Sequence, residues 1–209
     1  MTPTPPSSPW TALVQSLGAH GLADQLCQSD ADESWRHDGA MPDDAPSAEQ
    51  FEALLPPAYR AFVAEHGYPL LAAPAELNYA FAFLPPQAAR QVSTLIADDE
   101  RDFAEVRAAR RAGTYAWPHV MFAGWNFADG DGWAFGVDPA AEDAPEPTVW
   151  LLEGGLVVEE VGSFPQWLAE RAEDVRQRLA ALDADALAAA AAWEGDYAHG
   201  PQDLRGFDG

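Results

Sequence analysis

Two Asp-Gly steps stand close together in residues 127–138, FADGDGWAFGVD, directly before an alternating apolar run. Asp129 and Asp131 have the spacing to do chemistry here, either as oxygen ligands of a cation or as an acid–base pair. An Asp-Gly step is also what a tight turn with a positive φ selects. The stretch therefore raises three hypotheses, namely a metal loop, a catalytic pair and the turn of a β-hairpin.

The metal-loop hypothesis fails on the positions of the ligands. When Gly132 is aligned with the sixth position of an EF-hand loop, Asp129, Asp131 and Asp138 fall at the third, fifth and twelfth. Phe127 then occupies the first position, where an oxygen ligand is required. A glycine-rich turn is also normally solvated, which keeps its carboxylates ionised and ordinary. We therefore interpret the stretch as a hairpin turn, and we predict no metal ion and no cofactor.

The rest of the chain offers no stronger catalytic pattern. The five His residues show no H-x-x-x-H pairing, and Cys27 has no second Cys with which to form a disulfide or a zinc site. His119 lies in an apolar run and is predicted to be a core or edge residue of a strand. A small hydrolase that uses Asp129, Asp131 or His119 is a remote alternative, and we predict that the protein is not an enzyme.

Charge is the strongest global feature of the 209-residue chain, in which 34 acidic residues stand against 11 basic ones for a net charge of −23. Residues 112–170 hold ten of the acidic residues and no basic one except His119. A field of this sign repels nucleic acids and anionic membranes and attracts basic proteins, although acidity also serves solubility. We expect a basic protein partner, no direct binding of nucleic acid and no membrane association, and we leave the oligomeric state open. The N-terminus lacks the pattern of a signal peptide, which predicts a cytoplasmic protein.

Apolar periodicity divides the chain into helices near both ends and strands between them. One broken helix or two short helices are predicted at 10–26, and further helices at 47–55, 55–67, 87–111 (with an interruption near Asp98–Asp99 left open), 163–182 and 186–193. Strands are predicted at 77–85, 117–125, 132–138, 147–153 and 156–161, whereas 27–47 is interpreted as an acidic linker or loop. This order predicts an α+β fold with a largely antiparallel sheet of about four to six strands and helices covering one face. We expect a single domain at 49–182, with an N-terminal extension at 1–48 and an Ala-rich helix and flexible tail at 183–209.

Three segments follow one another in an order that is typical of a known family. LPPAYRAFVAEHG carries Leu55, Pro56, Tyr59, Phe62 and Gly67 in an LP..Y..F....G spacing. It is followed by FAGWNFADGDGWAFGVD, a strand, a Gly/Asp turn and an aromatic strand, and then by SFPQWL at the start of a helix. Together these segments resemble the SUKH superfamily, also called the Smi/Knr family, over roughly residues 49–180.

The resemblance implies a non-enzymatic protein-interaction fold. Most bacterial members resemble immunity proteins that neutralise a toxin, so the expected function is to bind a cognate toxin. A regulatory adaptor, as in the fungal relatives, is the alternative. An acidic mimic of nucleic acid directed against a nuclease is a special case of the first function.

The predicted binding surface follows from the strand face and the acidic stretch. Strand 132–138 sends Trp133 and Phe135 to one face and only the small Ala134 and Gly136 to the other. Aromatic anchors dominate interface energies and rim charges set association rates, so a face with small residues, acidic rims and an occasional Trp suits a partner. We predict six partner-binding residues: Trp125, Asp129, Asp131, Asp138, Glu142 and Asp143.

Overall fold

The computed structural model of the protein describes residues 8–29, 47–74, 77–99, 119–127, 129–136 and 147–193. Six α-helices lie in this part of the chain: α1 (Pro9–Ala19), α2 (Ala48–Leu54), α3 (Pro57–His66), α4 (Pro86–Asp99), α5 (Phe164–Ala181) and α6 (Ala184–Ala192). A 3-10 helix, Ala23–Gln25, follows α1. The predicted helix at 87–111 is confirmed as far as Asp99, and its remainder lies outside the described residues.

One antiparallel sheet of seven strands runs through the described residues, with the strands in chain order. They are β1 (Leu26–Gln28), β2 (Pro69–Leu71), β3 (Phe81–Phe83), β4 (His119–Asn126), β5 (Asp131–Gly136), β6 (Val149–Glu153) and β7 (Leu156–Gly162). Each strand pairs with the next, so the sheet is a meander with β1 and β7 at its edges. The predicted α+β class is confirmed, and the sheet is larger than the predicted four to six strands.

The strands that the sequence pattern does not predict are β1 and β2. Each has three residues, too few for an alternating pattern to be visible. Leu26 of β1 pairs with Leu71 of β2, and Cys27 pairs with Leu70. The interpretation of residues 27–47 as a linker is therefore wrong at its start, where Cys27 and Gln28 belong to the sheet.

Local signals set the helix ends where the sequence predicts them. Ser47 Oγ accepts a hydrogen bond from the Gln50 N–H, and Gln50 Oε1 accepts one from the Ser47 N–H, which is the predicted capping box of α2. Ser163 Oγ likewise accepts from the Gln166 N–H at the start of α5. Helix α3 ends at Gly67, where a φ of +71° suits glycine and is strained for other residues.

Aromatic side chains fill the core between one face of the sheet and helices α1, α3 and α5. Trp167 of α5 meets Phe83 and Phe122 edge-to-face, with ring centroids 5.7 and 4.9 Å apart. Phe122 stacks on Phe135 of the neighbouring strand at 4.2 Å, and Tyr59 of α3 contacts both rings. Such pairs add about 0.5–1.5 kcal/mol each to the stabilisation from burial. This core fixes α5 over the middle of the sheet.

Both ends of the described chain belong to the same core. Trp10 and Leu17 of α1 are buried with the strand residues, and Trp10 contacts Phe83 at a centroid distance of 5.8 Å. The buried Gln25 side chain donates a hydrogen bond of 3.0 Å to the Ala190 carbonyl of α6. The N-terminal segment therefore packs into the core of the central region, and the C-terminal helix is joined to that segment by the Gln25–Ala190 hydrogen bond.

Helix α4 lies against the opposite face of the sheet, so the prediction that helices cover one face is wrong. Ser93 of α4 accepts a hydrogen bond of 2.9 Å from the Met121 N–H of β4, and Ile96 lies beside Gly130 of the β4–β5 turn. Ala134, whose small side chain suggests an open face, is fully buried. Helical periodicity shows which side of a helix is apolar, but it does not show which face of a sheet that side covers.

Candidate functional site

Asn126 organises the β4–β5 turn, which contains two of the predicted carboxylates. Its side-chain Nδ2 donates to Asp129 Oδ2 at 2.9 Å and to Asp131 Oδ2 at 3.3 Å. Its Oδ1 accepts a hydrogen bond of 3.4 Å from the Asp129 N–H. Gly130 has a φ of +76°, the left-handed conformation that an Asp-Gly step favours. The hairpin-turn hypothesis for this stretch is confirmed.

Asp131 also holds the adjacent β6–β7 turn. Its Oδ1 accepts a hydrogen bond of 2.8 Å from the Gly154 N–H, and the Gly155 N–H donates to the Gly130 carbonyl at 3.2 Å. Gly154 and Gly155 have φ values of +59° and +73°, as the predicted two-residue hairpin requires. Asp131 is therefore a partly buried structural acceptor, whereas Asp129 in the same turn is exposed.

The metal-loop alignment places an apolar ring at its first ligand position. Phe127 is buried there, with 7% of its surface exposed, so the position has no side-chain oxygen and faces the core. Within the ranges that the structure describes, no group of three or more His, Cys, Asp or Glu side chains is placed to hold a metal ion.

The residues of the hydrolase alternative are not brought together. His119 pairs with Gly136, and Asn126 pairs with Asp131, at opposite ends of the β4–β5 ladder. Five residues of strand rise separate these ends by roughly 17 Å. Burial lowers the pKa of His119 below its ordinary value, which favours the neutral imidazole. His119 and the two turn carboxylates therefore do not share one site.

Trp125, the aromatic residue predicted to bind the partner, lines a cleft of about 370 Å³, which we call the Trp125 cleft. Trp125 is partly buried and meets Trp133 edge-to-face at a centroid distance of 4.9 Å. Trp133 pairs with Leu151, and Leu151 pairs with Glu159, so these three residues form one row across β5, β6 and β7. The row places apolar side chains inside the cleft and the exposed Glu159 at its rim.

Helix α5 supplies a charged wall of the cleft. Arg171 Nη1 pairs with Asp174 Oδ2 at 2.9 Å, and Arg178 Nε contacts both oxygens of the same carboxylate at 3.1 Å. Glu170 Oε1 accepts a hydrogen bond of 2.9 Å from Gln166 Nε2. Because one carboxylate is shared between two guanidinium groups, Asp174 compensates only one of their two positive charges. Glu170, which lines the same cleft, supplies a second negative charge.

Arg171 packs over the aromatic part of the cleft. Its guanidinium carbon lies 5.5 Å from the Trp133 ring centroid and 5.6 Å from that of Phe81. Burial lowers its pKa, while Asp174 opposes that shift, and a guanidinium keeps its charge in proteins. The distances are those of cation–π contacts. The cleft therefore already stabilises one arginine of the chain itself.

A second exposed feature borders the cleft on the edge strand β7. Among the described residues, four large hydrophobic side chains are exposed, and three of them are consecutive: Leu156 at 59%, Val157 at 38% and Val158 at 52%. Glu159 and Glu160 follow directly and are also exposed. We call residues 156–160 the β7 edge surface. Glu159 belongs to both features, which makes them continuous.

The structure separates the six predicted site residues. Trp125 lies in the cleft, and Asp129 and Asp131 lie in the β4–β5 turn. Three residues of the prediction lie outside the described residues: Asp138, Glu142 and Asp143.

Sequence reasoning misses the side of the cleft that α5 forms. Trp167 and Arg171 are four residues apart and therefore lie on one face of the helix. Both line the cleft, although the Trp167 ring is 2% exposed. The available signal is an arginine set among the apolar positions of a helix face, which points to a charge held against the core.

The residues that resemble the SUKH signatures are mainly core residues. Tyr59 and Phe62 are buried, and Tyr59 Oη donates a hydrogen bond of 3.5 Å to the Leu84 carbonyl. Phe164 and Trp167 are each 2% exposed. These positions determine the fold rather than the surface that meets a partner.

Comparisons of the chain with protein families, with curated proteins and with solved structures found no match. Membership of the SUKH superfamily therefore stays a prediction from the sequence motifs. None of the helices in the described ranges is both long and apolar enough to cross a membrane.

Proposed function

We propose that the protein is a non-enzymatic protein-binding module, most concretely an immunity protein that binds a basic bacterial toxin and neutralises it. The observation that carries the proposal is the β7 edge surface, where three exposed apolar side chains are followed by two exposed carboxylates. Contiguous exposed apolar residues with a polar rim are typical of protein-interaction sites. The choice of a toxin as the partner is supported by the resemblance to the SUKH superfamily.

The position of this surface on an edge strand supports a binding role. An edge strand offers unpaired backbone groups to a strand of another chain, and charged residues normally protect such edges. Glu159 and Glu160 protect one half of β7, whereas residues 156–158 leave the other half apolar. The β6–β7 pairing contains two register shifts, which work against a continuous added strand. We therefore expect side-chain contacts to supply most of the affinity.

Charge selects a basic partner over a second copy of this chain. Two copies would bring together chains with a net charge of −23 each. An antiparallel contact between two β7 strands would also place Glu159 and Glu160 of each copy near those of the other, and like charges that face each other across strands are destabilising. A basic protein is attracted by the same field and associates faster because of it.

A regulatory adaptor of the same fold is the second candidate, because the β7 edge surface is equally suited to a basic partner that is not a toxin. The two functions differ in their consequence for the cell. An immunity protein abolishes the activity of its partner, whereas an adaptor leaves that activity in place and couples it to something else.

Co-expression with the protein encoded by the neighbouring gene tests the proposal, with copurification and growth as the two readouts. We expect copurification and rescue of growth by the unmodified chain. The double variant Leu156→Ser/Val158→Ser is expected to weaken binding at least about tenfold and to abolish rescue, since truncation of interface anchors commonly costs more than ~1 kcal/mol each. Val14→Ser is the matched control, because Val14 is the fourth exposed large hydrophobic residue and lies on α1 with 38% exposure.

The outcomes separate the candidates. Copurification without rescue of growth favours the adaptor. A dimer of the chain alone that dissociates in the double variant shows that a second copy occupies the surface. If the unmodified chain neither copurifies with the neighbouring protein nor rescues growth, the proposed function is wrong.

A further inference from the structure

We infer that the Trp125 cleft receives an arginine side chain of the basic partner, which stacks on Trp125 and pairs with Glu159 and Glu170. The inference rests on the proposed function, because it specifies which chemical group of the partner enters the cleft. At about 370 Å³ the cleft is close to the lower limit of ligand pockets, which span about 300–1,000 Å³. Such a volume is suited to one side chain rather than to a whole secondary-structure element.

The carboxylates that line the cleft differ in how far they are already engaged. Asp174 is shared between Arg171 and Arg178. Glu170 accepts one hydrogen bond from the amide of Gln166. Glu159 has no hydrogen-bond or ion-pair partner in the ranges that the structure describes. A cation that enters the cleft therefore finds two carboxylates with free acceptor positions, at Glu159 and Glu170.

The aromatic residues of the cleft show the same division. Trp133 already has the Arg171 guanidinium at 5.5 Å from its ring centroid. Trp125 contacts Trp133 but has no cation over its ring in the described part of the chain. Trp125 is partly exposed, so an incoming cation can reach it. Indole is the aromatic group that binds cations best.

An arginine side chain fits this environment better than a lysine does. Its planar guanidinium stacks on an indole and donates two parallel hydrogen bonds to a carboxylate, whereas an ammonium group is a compact and strongly hydrated charge. Arg171 shows that a guanidinium is accommodated against these rings.

Two buried nitrogen donors in the wall of the cleft could in principle favour the opposite kind of ligand, one that carries acceptor atoms. Trp167 Nε1 and Arg171 Nε have no hydrogen-bond acceptor among the described residues. Both nitrogens are sealed from the surface, so a molecule in the cleft does not reach them without rearrangement of the site. The lining of the cleft holds three carboxylates, of Glu159, Glu170 and Asp174, against the two guanidinium groups of Arg171 and Arg178, which gives it a net charge of −1. We therefore assign the cleft to a cation.

Titration of the full chain with small arginine probes tests this inference without the partner. The probe is N-acetyl-arginine amide, and its matched control is the citrulline analogue, which has the same shape and no charge. The readout is the chemical shift of the Trp125 indole N–H. We expect saturable shifts with the arginine probe, at least about fivefold weaker binding of the citrulline analogue, and weakening with added salt.

Two neighbouring glutamates on β7 provide a matched pair of variants. Glu159→Gln is expected to weaken binding of the arginine probe about threefold, because it removes one exposed charge from the cleft. Glu160→Gln is the control, since Glu160 pairs with Trp150 in β6 and does not line the cleft. It is expected to change the affinity less than about twofold. Trp125→Phe, which keeps an aromatic ring, is expected to weaken binding about threefold. Because this variant lacks the Trp125 indole, its binding is followed at the indole N–H of Trp133, which lines the same cleft.

Three outcomes would overturn the inference. They are equal binding of the arginine and citrulline probes, tighter binding of N-acetyl-glutamate amide than of the arginine probe, and equal effects of Glu159→Gln and Glu160→Gln. The inference and the proposed function fail separately. If arginine binds in the cleft but the chain has no effect on the neighbouring protein, the inference stands and the proposed function is wrong. If the chain rescues growth but arginine does not bind in the cleft, the proposed function stands and the inference is wrong.

Discussion

The Asp131 carboxylate accepts a hydrogen bond of 2.8 Å from the Gly154 N–H, which joins the β4–β5 turn to the β6–β7 turn. The other carboxylate oxygen is held by Asn126 at 3.3 Å. An acidic residue predicted to meet a partner is therefore also a structural link between two hairpins. Charge reversal at Asp131 would alter the fold and the surface together, so the exposed Asp129 is the better position for testing the surface alone.

Removal of the Asp131 carboxylate is expected to destabilise the folded protein. Asp131→Ala leaves the Gly154 N–H without its acceptor and should lower the free energy of unfolding by about 1–2 kcal/mol. Asp129→Ala removes a hydrogen bond to the same Asn126 amide on the exposed side of the turn and should cost less than about 1 kcal/mol. Urea unfolding of the two variants compares them directly. Equal losses would show that the link between the turns contributes nothing to stability.

Charge reversal at Asp129 tests electrostatic attraction of the partner. Asp129→Arg is expected to slow association with the partner identified by copurification by about two- to fivefold at low ionic strength, with little change in the dissociation rate. The difference should shrink as salt screens the field. Stopped-flow mixing at several salt concentrations measures both effects. An unchanged association rate would place the encounter surface away from the β4–β5 turn.

Elements with strong local signals are predictable from the sequence, because their decisive contacts join residues close together in the chain. The capping box of α2 joins Ser47 to Gln50, and the β6–β7 turn needs only two adjacent glycines. The α+β class follows from the order of such elements. The three-residue strands β1 and β2 have no local signal and form because Leu26 and Leu71, far apart in the chain, pair with each other.

The site is less predictable, because distant segments assemble it. Trp125 is found by its place on a predicted strand, but Glu159 and Arg171 reach the cleft from β7 and α5. The bond between Ser93 and the Met121 N–H, which helps to place α4 on the sheet, spans 28 residues. Periodicity within one element carries no information on such relationships.

His119 is expected to make stability depend on pH. Burial lowers its pKa in the folded protein below the ordinary value of 6.5, so the unfolded chain binds a proton more readily than the folded one. The contribution of His119 is therefore fully present above a pH of about 6.5 and is lost as the pH falls from there toward the folded-state pKa.

The variant His119→Gln isolates this contribution from the titration of the many carboxylates. Between about pH 7 and pH 5, the unmodified protein should lose more stability than the variant. Chemical unfolding of both proteins at each pH gives the difference. A difference that does not change with pH would contradict the assignment to His119.

Gly136 leaves room for the indole of Trp150. A Cβ at position 136 would overlap Trp150 Nε1. The backbone of Trp150 on β6 pairs with Ala134, which lies two residues from Gly136 on β5, so the backbone of Trp150 is fixed next to this position. Gly136→Ala must therefore displace the indole, and we expect it to lower the free energy of unfolding by about 1–3 kcal/mol and to shift the tryptophan emission. Gly18→Ala is the control, because a Cβ there meets nothing within 4 Å and replaces a helical glycine of α1. Gly18→Ala should raise the free energy of unfolding by about 0.5–1 kcal/mol. The two glycine substitutions are therefore expected to change the free energy of unfolding in opposite directions. A change in the same direction for both would contradict the packing of Trp150 against Gly136.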